Sequence, residues 1–519
     1  MVGSVEPGAA GSARGSARIR PILPLLFLPA AAAWLWLHAA TVRLGFLGDD
    51  FQWWQHARMA VEQPRLLFVA YGGFRLVNTW LLALDHLVWG AEPVGYHLTG
   101  LALYLVCAVL LWRVGRRLGL APTGCVAVVS LWLVSPYSFE PAVIISQRFE
   151  PVQLALWLGL ALIWPAEGER WSGARAAGAL ALGGLTAVNK ESWIILPGLV
   201  VVFDRWLARR SWREALARGA AVAVPVVGYL VLYARAPAIE PGTFFTAHLA
   251  GALKVPNAFA AFALIGRLQP GDFAAGVPEL VAAVAIAALV ALAWRGRDAL
   301  TAVGLALFLL PFVPLLPIGW STSRYTTIPL AGFLLAFAGA LRALLGALDE
   351  RAAAAGRLVI PLAVGALFAV NLAVLSGDLA DYRRLAALQQ PLLAEARLVA
   401  PEVARHDALL AVRLEAEQPL VALSQSVAGM PKVFFVRGAD PYTLIDWAAL
   451  FTFVLEPVGG PVFADVTDSG PPPERCTTLA HVRGGFVWPG ADSVDCAAEA
   501  DAWRARPAPV RVLARWRPD

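Results

Sequence analysis

The sequence predicts an α-helical polytopic membrane protein of about eleven transmembrane helices, followed by a small C-terminal mixed α/β soluble domain. Three observations carry this prediction. Of the 519 residues 59% are hydrophobic and only 15% charged, with a mean hydropathy of +0.63, far more apolar than a soluble core requires. Apolar stretches of roughly 20 residues, the length that crosses a ~30 Å hydrocarbon layer, recur as far as residue 376. From 378 onward they cease, and short β-like runs such as "KVFFVRG" and "PVRVLARW" alternate with Gly and Pro turns.

The predicted spans fall near 21–45, 95–113, 121–138, 150–165, 174–189, 192–207, 217–235, 276–294, 299–317, 326–345 and 357–376. The two flanking Asn189 and Lys190 read either as short helices or as one broken helix. Arg clusters set the orientation: "RGSARIR", "WRVGRR", "DRWLARRSWREALAR", "WRGRD" and "DERAAAAGR" all fall on one side of this arrangement, which the positive-inside rule makes cytoplasmic. Residues 1–20 are then a cytoplasmic segment, 21–377 the membrane domain with a first extracytoplasmic loop at 46–93, and 378–519 an extracytoplasmic domain. The first apolar segment has the basic start of a signal peptide but is too long for one, and it reads as an uncleaved anchor. A multi-pass protein of the inner (cell) membrane follows.

The net charge of +5 comes almost wholly from Arg, since Lys occurs only at Lys190, Lys254 and Lys432. No basic run is interleaved with aromatics as in single-strand binders, so nucleic acid is excluded as a partner. Cys107 and Cys125 lie in apolar spans, where a thiol acts as a small hydrophobe. Cys476 and Cys496 lie in the tail, and an oxidising compartment allows a disulfide between them. No Cys or His spacing suggests zinc; no cofactor is implied, and a divalent metal is left open.

Against this apolar background, "FLGDDFQWWQHA" places Asp49 and Asp50 directly after the first span. An Asp at the centre of a membrane helix costs ~2.5–3.5 kcal/mol, so the pair belongs at the outer surface, opening the first loop. That loop holds two amphipathic pieces, "DDFQWWQHARMAVEQ" and "FRLVNTWLLALDHLVW", of the kind that lie flat in the interface. A carboxylate pair roofed by such helices is placed for proton abstraction beside a lipid-embedded substrate. The plain alternative is that the acids cap an interfacial helix. Arg75, Arg148, Lys190 and Arg324 also fall in or beside outward-facing loops, against the charge bias. Each has its own plain alternative, a side chain that snorkels or anchors a lipid headgroup.

An acidic pair after the first span resembles the first-loop motif of GT-C superfamily glycosyltransferases, polytopic enzymes that take sugars from polyprenyl-phosphate donors. "SPYSFEPAVIISQRFEP", "AVNKESWIILP" and "STSRYTTIPLAGFLLA" are similar, in order and placement, to stretches of the branch containing protein O-mannosyltransferases and their tetratricopeptide-bearing relatives. The likeness covers the first 380 residues or so. It departs at Asn189, where that branch has Ser, and in the tail, which lacks the repeats.

The resemblance implies an inverting transferase that moves a sugar from a polyprenyl-phosphate donor to a protein or glycan hydroxyl in the presence of membrane lipid. Asp49 and Asp50 are then the catalytic pair, since two neighbouring acids disfavour double ionisation and one acquires a pKa useful for a base. Arg148, Arg324 and Lys190 are the expected donor-phosphate ligands, because charge grows on the leaving phosphate as the glycosidic bond breaks. His56, Arg75, His97, Glu191 and Tyr325 are further candidates, with Lys190 and Glu191 alternatively a local ion pair. No GxGxxG or P-loop points to a nucleotide sugar. A lipid-linked glycan flippase, an oligosaccharide ligase and a non-catalytic membrane sensor are the other readings of the same features.

Overall fold

The computed structural model describes residues 28–47, 50–69, 75–137, 139–234, 277–296, 298–315 and 326–403, and in the tail Phe453 and the strands given below. The membrane part is a succession of helices: α1 (Leu28–His38), α2 (Asp50–Glu62), α3 (Leu76–Trp89), α4 (Pro93–Arg117), α5 (Pro122–Val134), α6 (Glu140–Val143), α7 (Phe149–Ile163), α8 (Gly173–Ala187), α9 (Leu196–Val202), α10 (Trp212–Ala234), α11 (Val277–Gly296), α12 (Ala299–Leu309), α13 (Thr327–Ala347) and α14 (Glu350–Val403). Each predicted window contains helix. Among the described residues Pro93–Arg117, Thr327–Ala347 and Glu350–Ala380 are long and apolar enough to cross a membrane, and Pro122–Val134, Ala283–Arg295 and Ala299–Pro314 are shorter apolar helices.

Local chemistry sets the boundaries. Pro93 and Pro122 begin α4 and α5 at the position where a missing N–H costs nothing, and the Glu92 carboxylate accepts from Val94 N at 3.3 Å to cap α4. Ser135 is extended, as a residue before proline prefers, and it ends α5. Gly90 turns the chain between α3 and α4 at φ 58°, a conformation that a side chain would strain.

The core gathers around α4, α5, α7, α12 and α13. Trp34 stacks on Tyr104 and Tyr104 on Trp132, with ring centroids 5.8 and 5.3 Å apart, which locks α1, α4 and α5 together by large rigid surfaces. Helices α12 and α13 approach backbone to backbone. A Cβ on Gly304 would lie 2.3 Å from Ala336 N, and one on Gly332 would lie 2.3 Å from Phe308 N. Small residues at such a crossing are what let membrane helices pack closely.

Two stretches differ in detail from simple spans. The window at 192–207 is a 3-10 turn (Glu191–Ile195), α9 and a π-turn (Phe203–Leu207) in sequence, and the break before it falls where Lys190 is extended. Helix α14 runs unbroken for 54 residues, so it passes straight through residue 378, where the tail was expected to begin. Beyond it lie β1 (Ala408–Arg413), β2 (Ser426–Val427), β3 (Met430–Pro431), β4 (Phe463–Asp465), β5 (Arg475–Val482), β6 (Gly485–Val487), β7 (Val494–Asp495) and β8 (Val510–Arg515). The sheet order is β4-β8-β1-β5-β6, with β1 and β5 parallel and the other neighbours antiparallel. The run "PVRVLARW" supplies β8; "KVFFVRG" lies outside the described residues, as does Cys496, the proposed partner of Cys476.

Candidate functional site

The loop expected to roof the membrane edge folds as α2 and α3 packed on each other. Asp50 is the first residue of α2 and is buried. Its Oδ2 accepts from Leu47 N at 3.1 Å while Leu47 O accepts from Asp50 N at 3.0 Å. This reciprocal turn is the back half of a capping box, so the capping reading holds for one oxygen. The other oxygen leaves the helix: Oδ1 accepts from Ser146 N at 2.7 Å, across 96 residues of sequence. Burial pushes the Asp50 pKa up to about 6, with the N–H groups of Ser146 and Leu47 pulling the other way. A carboxyl so placed is poised to exchange a proton near neutral pH. Asp49 lies outside the described residues.

Around this turn the aromatic side chains form a lid. Phe46 meets Tyr96 and Phe453 with centroids 5.2 Å apart, and Phe453 also meets Phe51 at 5.3 Å and Trp54 at 5.2 Å. The tail thus sends one ring into the roof. Trp54 Nε1 and Tyr96 OH both donate to Gly90 O, at 3.3 and 2.8 Å. His97 Nε2 bonds Gly45 O at 3.0 Å, which ties α4 to the turn that carries Asp50. His56 is buried on α2, and burial lowers its pKa to about 4.

Arg148 lies beneath the roof with no exposed surface. Its guanidinium binds the Asp85 carboxylate of α3 and the Tyr96 carbonyl of α4, and Asp85 also accepts from Thr99 Oγ1 at 2.8 Å. Both terminal nitrogens of Arg148 therefore face protein groups.

A second buried pair joins Lys190 to Glu150. Asn189 bonds Phe149 O and Gln153 Oε1, both at 2.9 Å, and so fastens the chain break onto α7. The Phe149 ring lies between two cations, Arg75 4.3 Å and Lys190 5.2 Å from its centroid. Glu191 stands 3.8 Å from Arg75. The two acids and two cations of this corner thus pair as Lys190 with Glu150 and Arg75 with Glu191, whereas the alternative reading of Lys190 had paired it with Glu191.

The structure brings Asp50, His56, Arg75, His97, Arg148, Lys190 and Glu191 to α2 and α3, to the first turns of α4 and α7 and to the chain break beside them. Arg324 and Tyr325 lie outside the described residues. Among the described residues no group of three or more His, Cys, Asp and Glu is arranged to hold a metal. Sequence reasoning missed Asp85, Glu150 and the Ser146 N–H. Asp85 had a signal, an acid on the otherwise apolar helix "LVNTWLLALDHLVW"; Glu150 had one too, lying two residues beyond Arg148.

No family model matches the chain, and no curated protein matches it. Among solved structures it is similar to ArnT from Cupriavidus metallidurans bound to undecaprenyl phosphate, at 16% identity over 96% of this chain and 98% of that one, with a TM-score of 0.45. It is also similar to the Archaeoglobus fulgidus oligosaccharyltransferase in complex with Zn and sulfate, at 15% identity and a TM-score of 0.40. That second likeness covers 68% of this chain and about half, 53%, of the other. These are likenesses of outline, and no residue role follows from them.

Proposed function

We propose that this chain is an inverting membrane glycosyltransferase that moves a sugar from a polyprenyl-phosphate donor to a hydroxyl of a protein or glycan on the extracytoplasmic face. The observation that carries the reading is the buried Asp50 carboxylate, held by two backbone N–H groups at the start of a roof helix and titrating near 6. A cap alone needs one local acceptor. This group has a second contact that orients it and a pKa matched to a general base.

In the proposed reaction Asp50 takes the proton of the acceptor hydroxyl. The hydroxyl oxygen then bonds to C1 of the sugar on the face opposite the phosphate. The C1–O bond to phosphate breaks, and the electron pair leaves with the polyprenyl phosphate. Lys190 and Arg324 stabilise the charge that grows on that phosphate, and Asp49 shares the acidic pair. The order and placement of the motifs in 135–151, 187–197 and 321–336 support the donor class.

The test is transfer of radiolabelled sugar from polyprenyl-phosphate-linked mannose, glucose and arabinose into envelope extract by full-length protein in liposomes. Transfer by the wild type and none by Asp50→Asn is the expected result. Equal activity of both would remove Asp50 from the chemistry, and no turnover of any polyprenyl-linked donor would remove the donor class.

A further inference from the structure

The segment 145–148 carries the long-range hydrogen bond that reaches Asp50, and the side chains of Asn78, Asp85 and Arg148 hold that segment in place. At Ser146, the N–H points to Asp50 Oδ1 and the carbonyl accepts from Asn78 Nδ2 of α3 at 3.3 Å. Two residues on, the Arg148 guanidinium joins Asp85 of α3 to the Tyr96 carbonyl of α4. The next residue of α4, His97, holds Gly45, five residues before Asp50. The loop that donates to Asp50 and the turn that presents it are therefore both fastened to α4, and the loop to α3 as well.

We propose that the Asp85–Arg148 ion pair is a positioning device that aims the Ser146 N–H at the Asp50 carboxylate and so sets the proton affinity of the base. This assignment rests on the reading of Asp50 as a general base. Arg148 and Asp85 act through Asp50 and touch no substrate. The geometry favours this role over plain packing for two reasons. The pair is buried on both sides, with relative exposures of 0% and 5%, where an ion pair is a weak source of stability and apolar residues of similar volume often serve as well. The fork of Arg148 also spans two helices at once, a geometry that Lys, a point charge, does not reproduce.

The charged and titratable groups on the elements around Asp50 are His56, Arg58 and Glu62 on α2, Asp85 and His86 on α3, Arg65 in the 3-10 turn Pro64–Phe68, Tyr96 and His97 on the first turns of α4 and Arg148 itself. The hydrogen bonds that lower the Asp50 pKa come from Ser146, Leu47 and Ile145. Two of those three donors sit on the segment that Arg148 anchors. A displaced segment removes them, and the base holds its proton more tightly.

The experiment follows the Asp50 carboxyl by infrared difference spectroscopy, as wild type minus Asp50→Asn, across pH in full-length protein in liposomes. It needs no donor, so it stands apart from the transfer assay: a carboxyl that titrates but catalyses nothing would sink the transferase reading and leave the positioning question answerable. The expected midpoint is near 6 in the wild type and about one pH unit higher in Asp85→Asn, for the loss of one hydrogen bond to a charged group. Arg148→Lys, which keeps the charge and loses the fork, should shift in the same direction by a smaller amount. The double variant Asp85→Leu/Arg148→Met replaces the pair by apolar bulk, and it should fold with the midpoint still raised. A folded double variant with the wild-type midpoint would overturn the proposal. So would a double variant that fails to fold, since the pair would then serve stability alone.

Discussion

The two ends of α4 treat charge in opposite ways. At its first turns lie Arg148 with Asp85, at 0% and 5% exposure, and across the neighbouring α7 Lys190 with Glu150, at 10% and 2%. At its last turns lie pairs in which one or both partners remain wet: Arg342 with Asp298, at 39% and 18%, and Arg209 with Glu167, at 31% and 75%. Exposed pairs contribute about 0–1 kcal/mol and cost little to keep. Their place is explained by the Arg bias that orients a membrane chain. Buried charges cost several kcal/mol of desolvation apiece, and a chain with no other use for them would do as well with leucine. The difference separates charges that keep their contact with water from charges whose desolvation asks for a compensating role.

Removing charges at each end breaks or sharpens that contrast. The largest expected effect is on activity: Asp50→Asn should lower sugar transfer by about 10²–10⁴-fold, the usual contribution of a general base, with expression close to wild type. Next comes stability. Asp85→Ala or Arg148→Ala leaves a buried charge without its partner and should cost about 3–5 kcal/mol, read as a large fall in Tm; a wild-type Tm for both would show that the first turns of α4 are no more demanding than the last. At the far end, Glu167→Gln should leave Tm unchanged.

The pH dependence of stability carries a sign. The folded chain holds the Asp50 proton more tightly than the unfolded chain, with the pKa raised from 3.8 to about 6. Wild-type stability therefore falls as pH rises from about 4 to 6 and levels off above, while Asp50→Asn lacks that fall. The Asn variant should gain on the wild type across this window by up to about 3 kcal/mol, and parallel Tm curves would contradict the burial of a titrating acid. Smaller again is Arg324→Ala, expected to weaken donor use by about ten- to a hundred-fold, the worth of one charge-assisted contact. Arg324→Lys should recover part of it; full recovery by Lys would make the residue a headgroup anchor.

The helices were legible because each is a local pattern: a run of apolar residues, a proline at the start, an amphipathic piece in the loop. Asp50 was legible for the same reason, as an acid out of place. The partners could not be read. Ser146 lies 96 residues from Asp50, Asp85 lies 63 from Arg148, and Glu150 lies 40 from Lys190; no local period brings such pairs together. The cations were therefore visible as anomalies while their partners, such as Asp85 for Arg148, were not. The limit of α14 was missed because the apolar pattern stops near 376 while the helix does not. Residues on either side of Pro391, "RRLAALQQ" and "LLAEARL", are good helix formers without being apolar enough to mark a span.

Helix α14 has a geometric consequence of its own. At 1.5 Å per residue its 54 residues extend about 80 Å, whereas a bilayer with its headgroups is about 40–45 Å thick. A helix of that length reaches past the lipid as a mast, and β6 of the terminal sheet packs against it. Such a mast works as a protractor as well as a spacer. Every residue added rotates the downstream chain by about 100°, so a seven-residue insertion beyond Ala380 lifts the sheet by about 10 Å and returns it to nearly the same heading. A two-residue insertion lifts it by only about 3 Å and points it the opposite way. Comparing the two insertions asks whether Phe453 finds the aromatic lid by height or by heading.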